Sequence, residues 1–447
     1  MLKFNDFGKV SKLETPFWYY DIDLFRRTVQ LAASLSRKYG IGVHYALKAN
    51  VEPRLVRYIS SKGFGADCVS GNEVQYAAAN GFRPDSIVFA GVGKSDREIK
   101  SALELGIEAF NVESLMEMRV IDDIASAMGV RANVSLRINP NIDAHTHRYV
   151  TTGLYENKFG ISAHEFDSAI SLIKESRSLD FKGLHFHIGS QITDVDEVYG
   201  LECERAAEIV SYFEDHGLEV GSIDLGGGLG VDYDDPDGAS VPDFGKWFGI
   251  IDRRLRRRPG QLVSIEPGRS LVAQCGSLVT RVLFVKAGET KTFLIMDAGM
   301  NDLIRPALYG AYHKIENLTA FYRRAVRAGG DGEPVGPLPP MVRADVVQGD
   351  NKSSSDDDRS WRAVRAGGDG EPVGPLPPSW GTGGGIYDIV GPVCESSDVW
   401  GAGRELPLSF RGDLLAIRSA GAYGSVMSSR YNLRDLAPAY FSDDFIV

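Results

Sequence analysis

From about residue 25 to residue 270, short apolar runs alternate with longer segments of helical periodicity. The runs are Val43–Leu47, Gly65–Val69, Ser86–Ala90, Ala109–Val112, Asn133–Ile138, Gly183–Ile188, Ser222–Leu225 and Leu262–Ile265. They are apolar rather than alternating, which is the pattern of strands covered on both faces. Between them, residues 72–80, 95–105, 114–127, 163–176, 199–217 and 241–255 carry apolar positions at helical spacing. Eight strand–helix units over residues 25–270 predict an α/β fold of the (β/α)8 barrel type, with a doubly wound open sheet as the competitor. From residue 271 the rhythm changes. Gly276–Val285, Thr292–Asp297, Ile386–Val393 and Asp413–Ile417 read as strands without long helices between them. They predict an all-β C-terminal domain over 271–447, and the strand Pro16–Asp21, within residues 1–24, is expected to join it.

One segment fits neither pattern. Residues 324–340 and 362–378 are both RAVRAGGDGEPVGPLPP, and a Ser- and Asp-rich stretch separates them. Two copies without a helical or strand period are not a solenoid. Glycine, proline and charge dominate, so a disordered surface insertion at about 322–383 is expected to interrupt the β domain.

Composition narrows the function. The chain has 447 residues and a net charge of −11, which disfavours nucleic acid and anionic membranes as partners. No apolar run reaches the length of a bilayer span and the opening residues hold no signal-peptide core, so a cytoplasmic location is expected. Four cysteines, Cys68, Cys203, Cys275 and Cys394, show neither a disulfide framework nor a metal-binding spacing; no metal site is expected.

In a (β/α)8 barrel the chemistry gathers at the carboxyl ends of the strands. Here those ends carry Lys48, Asp67, the GVGK turn at 91–94, Glu113, Arg137, His185 and His187 with Ser190, Gly226–Gly228, and Glu266 with Arg269. Glycines let backbone N–H groups close on a phosphate, although a GGG run by itself also serves as a flexible turn. A lysine amine forms an imine with an aldehyde. A carboxylate beside a pyridine nitrogen keeps it protonated, and Glu266 is positioned for that. His187 closes its strand, where it could stack on a ring; taken alone it also reads as a satisfied core histidine.

The motifs HYALKAN, HFHIGSQ, DLGGGLG, EPGRS, MNDLIRPALY, GPVCES and GAYG in this order closely resemble the diaminopimelate decarboxylases. These are fold-type-III pyridoxal phosphate enzymes with an alanine-racemase-like barrel and a β domain. The resemblance covers nearly the whole chain except the insertion. It implies pyridoxal 5'-phosphate as cofactor and decarboxylation of meso-2,6-diaminopimelate to L-lysine, the last step of lysine biosynthesis. Lys48 matches the lysine that carries the cofactor as an imine. Asp67, Arg137 and His187 match residues around the cofactor, with His187 on its ring. Ser190, Gly226, Gly227, Gly228, Glu266, Pro267, Gly268, Arg269 and Tyr423 match its phosphate and pyridine contacts. Arg269, Arg305, Tyr309, Glu395 and Tyr423 match substrate contacts, and Cys394 matches the acid that protonates the carbanion. In the family Cys394 and Glu395 reach the partner subunit's site, so a homodimer is implied.

The residue chemistry agrees with the resemblance. Paired guanidiniums at Arg269 and Arg305 suit a carboxylate, and Glu395 suits an ammonium. Decarboxylases of ornithine, arginine or lysine on the same fold are the alternative, but their substrates lack a distal carboxylate. A non-catalytic partner-binding relative is a second alternative, which the joint presence of Lys48, His187, Glu266 and Cys394 opposes.

Overall fold

A computed structural model describes residues 7–140, 142, 158–327 and 384–445. The first elements are α1 (Phe7–Val10), β1 (Phe17–Tyr20), α2 (Ile22–Tyr39), β2 (Gly42–Ala46), α3 (Pro53–Ser60), β3 (Gly65–Cys68), α4 (Gly71–Ala79), β4 (Ile87–Phe89) and α5 (Asp96–Leu105). Next come β5 (Ala109–Val112), α6 (Leu115–Met128), β6 (Ala132–Ile138), α7 (Phe166–Glu175), β7 (Leu179–Phe186), α8 (Val195–Asp215), β8 (Ser222–Asp224), α9 (Phe244–Arg254) and β9 (Leu262–Ile265). Strands β2 to β9 close into a parallel barrel in chain order. Closure rests on β2 pairing with β9, Val43 opposite Ile265, which sets aside the open sheet.

Local chemistry fixes the helix ends. Asp21 caps α2 by accepting from the Leu24 N–H at 2.9 Å, and Gly40 ends it at φ +63°, a conformation glycine adopts without strain. Ser70 and Ser114 cap α4 and α6 in the same way. Outward-facing strand residues such as Tyr45, Ile223 and Ile265 join the helix residues Phe25, Phe213 and Trp247 in one buried apolar cluster. Each such side chain contributes roughly 1.5–3 kcal/mol. The barrel interior is polar instead. Asn111 reaches across it to Glu266, and Ser264 donates to Asp224 at 2.9 Å.

The chain continues with α10 (Arg269–Val272), β10 (Gly276–Ala287), β11 (Thr292–Met296), α11 (Arg305–Tyr309), β12 (Ile315–Asn317) and α12 (Leu318–Arg327). It ends with β13 (Gly384–Val390), β14 (Val399–Pro407), β15 (Leu414–Ile417) and β16 (Ala439–Phe441). A sheet runs β12-β15-β10-β11-β13-β14, and β1 and β16 extend it from β10. The N-terminal strand thus belongs to the second domain, antiparallel to β10 with Trp18 opposite Leu278.

This domain is mostly sheet but also carries α11 and α12. Helix α12 forms because Tyr322 stacks on Phe7 at 4.5 Å and Arg323 binds Asp413 at 2.5 Å. Residues 322–327, expected to open the insertion, are therefore helical; the rest of it, 328–383, lies outside the described residues. Strand β14 escaped the sequence pattern because its exposure does not alternate cleanly along VWGAGRELP. Among the described residues no helix is long and apolar enough to cross a membrane.

Candidate active site

Strand β2 runs into a single 3-10 turn, Leu47–Ala49, which lifts Lys48 over the carboxyl end of the barrel. Its Nζ donates to Asp67 Oδ2 at 2.7 Å. Asp67 is fully buried near the end of β3. Burial pushes the Lys48 amine down, but the charges of Asp67, Glu266 and Tyr423 outweigh it and leave the amine above its ordinary range. Burial likewise raises the Asp67 carboxyl, and Lys48 outweighs that to hold it below the usual carboxylate range. Without a cofactor the pair is an ammonium carboxylate.

Glu266 follows β9 and is buried. Its Oε2 lies 3.2 Å from His185 Nε2, and its Oε1 lies 3.5 Å from Asn111 Nδ2. Burial, then the Asp67 charge, push its pKa up to about 8 against the pull of Lys48. The neighbouring His185 is pushed down to about 4, burial being the largest cause, so it supplies no cation. Glu266 is a buried carboxyl in want of a positive partner. His187 comes directly after β7. Its Nδ1 accepts from the Gly227 N–H at 3.2 Å, and burial keeps the ring neutral, well below its ordinary pKa.

The glycines at 226–228 are required by their surroundings. A Cβ on Gly227 would sit 2.2 Å from the Glu266 carbonyl oxygen, and one on Gly228 would sit 2.7 Å from that of Gly189. The Gly226 N–H is used by Asp224 and the Gly227 N–H by His187. The Gly228 N–H has no acceptor among the described residues, which leaves it for a ligand. Gly268 packs close to Ala46 and Ala49, and the Pro267 carbonyl accepts from the Ala46 N–H at 3.3 Å. Tyr423 sits at φ +56° and donates its N–H to Ala49 O at 2.8 Å.

A cavity of about 30 Å³ lies among Lys48, His187, Ser190, Gly228, Glu266 and Arg269. A second, of about 460 Å³, shares Lys48 and Tyr423 with it and is also lined by Glu73 and Met427. Arg269, buried at the start of α10, donates to Tyr233 Oη at 2.5 Å and to Ser190 Oγ at 3.0 Å. Its guanidinium lies 4.9 Å from the Tyr423 ring. Arg305 and Tyr309 open and close α11. Arg305 donates to Tyr233 Oη at 3.0 Å and to His313 Nε2 at 2.8 Å.

Two groups of expected site residues stand apart from this cluster. Arg137 is bound to Glu113 at 2.7 Å and lies under the Phe159 ring at 4.6 Å; it acts on the Lys48 group only through its charge. Cys394 and Glu395 lie exposed on the turn between β13 and β14. The Cys394 N–H donates to Asn432 Oδ1 at 3.0 Å, and Glu395 accepts from the Ser396 N–H. Among the described residues of one chain, no hydrogen bond or ion pair joins either to the Lys48 cluster. Cys68, Cys203 and Cys275 are buried thiols.

Sequence reasoning missed Tyr233, His313 and Asp224. Tyr233 sits in DYDDPDG, where its acidic neighbours suggest a solvated turn. His313 is a lone histidine with no motif around it. Asp224 stands two residues before the glycines and accepts from the Gly226 N–H; an acid that close to a glycine turn was the available signal.

A family model described as pyridoxal-dependent decarboxylase, pyridoxal binding domain, matches residues 23–273, and one described as the C-terminal sheet domain of the same proteins matches residues 367–421. The chain is 44% identical to a diaminopimelate decarboxylase of Bacteroides thetaiotaomicron, over 98% of each chain. It is 37% identical to that of Helicobacter pylori strain J99, over 94% of this chain and 88% of the relative. The crystal structure of diaminopimelate decarboxylase from Helicobacter pylori complexed with L-lysine superposes with a TM-score of 0.78 at 35% identity, covering 97% of this chain and 93% of that one.

Proposed function

This chain belongs to the pyridoxal-dependent decarboxylases, and on that basis we propose that it converts meso-2,6-diaminopimelate to L-lysine and carbon dioxide, the last step of lysine biosynthesis. The observation that carries the choice of substrate is the pair Arg269 and Arg305. Both are buried, and among the described residues neither is bound to a carboxylate. Buried guanidiniums without an anion suit a substrate that brings its own. Diaminopimelate keeps a carboxylate at its unreacted end; ornithine, arginine and lysine have none there.

The residues present fit pyridoxal 5'-phosphate. Lys48 offers the amine for its aldehyde, and the Gly228 N–H with Ser190 Oγ offers phosphate contacts beside the Cβ-free backbone of Gly226 and Gly227, whose own N–H groups are taken by Asp224 and His187. Pro267 and Gly268 close the wall behind it. Glu266 is the buried carboxyl in want of a cation, and His187 is a neutral ring beside it. The cofactor, when bound, supplies a protonated ring that takes up the electron pair of the broken carbon–carbon bond. Glu266 would share its proton with the ring nitrogen, while Asp67 and Arg137 would set the charge around it. Arg269, Arg305 and Tyr309 bind the distal carboxylate, which selects the L end and leaves the D centre to react. Tyr423 shields the site from water on the side of the larger cavity.

Cys394 and Glu395 serve the site from a second copy of the chain, which makes the working unit a homodimer. Their exposure in one chain is consistent with that. Glu395 accepts from the distal ammonium. Cys394 Sγ delivers a proton to the carbon that has lost carbon dioxide, with Lys48 Nζ as the other donor within the chain. The enzyme works in the cytoplasm on a small-molecule substrate.

The test is carbon dioxide release from meso-diaminopimelate with and without added pyridoxal phosphate, beside L-ornithine, L-arginine and L-lysine. Cofactor-dependent release from diaminopimelate alone is expected. Release from a basic amino acid in its place overturns the proposal.

A further inference from the structure

We infer that Tyr233 is a positioning and recognition residue for the carboxylate at the unreacted end of the substrate, its hydroxyl holding Arg269 and Arg305 as a converging pair and adding a third donor. The inference deepens the proposed function and rests on it for the identity of the substrate. A phenol oxygen has two lone pairs and one hydrogen. Both lone pairs are taken here, by Arg269 Nη1 at 2.5 Å and by Arg305 Nη1 at 3.0 Å. Among the described residues the O–H has no acceptor of its own.

Two like charges brought to one oxygen repel, so something must hold them there. Ser190 Oγ takes the second nitrogen of Arg269 at 3.0 Å. His313 holds Arg305. Its Nδ1–H donates to the Arg418 carbonyl at 2.8 Å, which leaves Nε2 to accept from Arg305. Burial, then the Arg305 charge, push this imidazole down to about 3, so it stays a neutral acceptor.

Tyr233 is itself anchored. It lies on the loop between β8 and α9, and that loop is tied to the sheet domain. Asp237 accepts from Arg418 Nη2 at 2.9 Å, and Arg418 Nη1 is bound to Glu316 at 2.5 Å. Just past α10, Gln274 Nε2 donates to the Asp232 carbonyl at 3.0 Å. The His313 ring meets the Tyr233 ring edge-on, centroids 5.1 Å apart. The hydroxyl is thus fixed from both domains at the point where the guanidiniums meet. Arg269, Arg305 and Tyr233 together offer converging donors and two positive charges, the complement of one planar carboxylate.

The experiment compares the full-length, cofactor-loaded wild type with Tyr233→Phe, which keeps the ring and removes only the oxygen. Calorimetry measures binding of L-lysine, which retains the carboxylate, and of 1,5-diaminopentane, which lacks it. The variant is expected to bind L-lysine about tenfold more weakly, the loss of one hydrogen bond to a charged group. The KM for diaminopimelate should rise in parallel. Affinity for 1,5-diaminopentane, kcat and the dissociation constant of the cofactor should each stay within about twofold. Unchanged L-lysine binding overturns the inference. So does equal weakening of both ligands, or loss of cofactor, since either marks a general structural role. If the wild type instead prefers ornithine, arginine or lysine, which carry no carboxylate at the unreacted end, the inference is overturned together with the substrate reading; the wild-type substrate panel tells that outcome apart from failure of Tyr233 alone.

Discussion

Replacing Glu266 with glutamine should make the cofactor-free protein more stable in base while ruining its use of the cofactor. In the folded chain the Glu266 pKa moves from an ordinary 4.5 to about 8, first through burial and then through the Asp67 charge. Between those two values the unfolded chain has released a proton that the folded chain still holds. The unfolded state therefore binds fewer protons, and stability falls as pH rises through this window. Each pH unit is worth about 1.4 kcal/mol, so the ceiling on the loss is about 5 kcal/mol. His185 and Asp224 lie in the same space, with side-chain atoms within 4.8 Å, and Asp224 is itself pushed up to about 6, burial leading. Charge sharing among them should reduce the loss to about 2–4 kcal/mol. The assay is denaturant unfolding of cofactor-free wild type and Glu266→Gln at pH 5 and pH 8. The variant should gain on the wild type by about 2–4 kcal/mol between the two pH values. Equal pH slopes in the two proteins would refute the reasoning, because Glu266 would then be titrating as an ordinary carboxylate.

Three further outcomes are expected. Lys48→Ala should abolish the near-visible absorption of the bound cofactor and lower activity by about a thousandfold or more; a band retained through another lysine would refute the assignment. Gly227→Ala, whose Cβ would sit 2.2 Å from the Glu266 carbonyl oxygen, should cost about 1–3 kcal/mol and release the cofactor, whereas Gly106→Ala, at φ +70° with open space around it, should cost about 1 kcal/mol and keep it; thermal melts and absorption read both. Mixing inactive Lys48→Ala with inactive Cys394→Ala, then dissociating and reassembling the subunits, should recover about a quarter of wild-type activity, since half the dimers are mixed and each carries one intact site; no recovery would mean that Cys394 serves its own chain.

The barrel was legible because its strands are short apolar runs, and the first charged or polar residue after each run marks a carboxyl end. Lys48, Asp67 and Glu266 follow from that reading, since in a parallel barrel the last residue of a strand and the next one or two face the same mouth. Partnership was not legible. Arg137 stands at a strand end like the others, yet its charge is spent on Glu113, a pairing set by the neighbouring strand that no local spacing announces. The second domain was read less completely. Strand β14 is half exposed, and helix α12 draws its stability from Phe7 and Asp413, more than 80 residues away in either direction. Contacts of that kind leave no periodic trace in the sequence. Tyr233 shows the same limit at the site: its partners arrive from α10 and α11, and its loop is held by Arg418 of the sheet domain.

The polar barrel interior links these observations. Barrel interiors of this type are commonly packed with branched aliphatic side chains. Here Asn111, Arg137, His185, Asp224 and Glu266 are buried there instead, and His44, His185 and Asp67 each keep a buried polar atom without a hydrogen-bond partner among the described residues. Such an arrangement costs stability in the cofactor-free chain. A protonated pyridine beside Glu266 would supply the cation that this carboxyl wants and lower its pKa toward the ordinary value. A cofactor held there would therefore act as a folding ligand as well as a reagent, stabilising the native state by mass action.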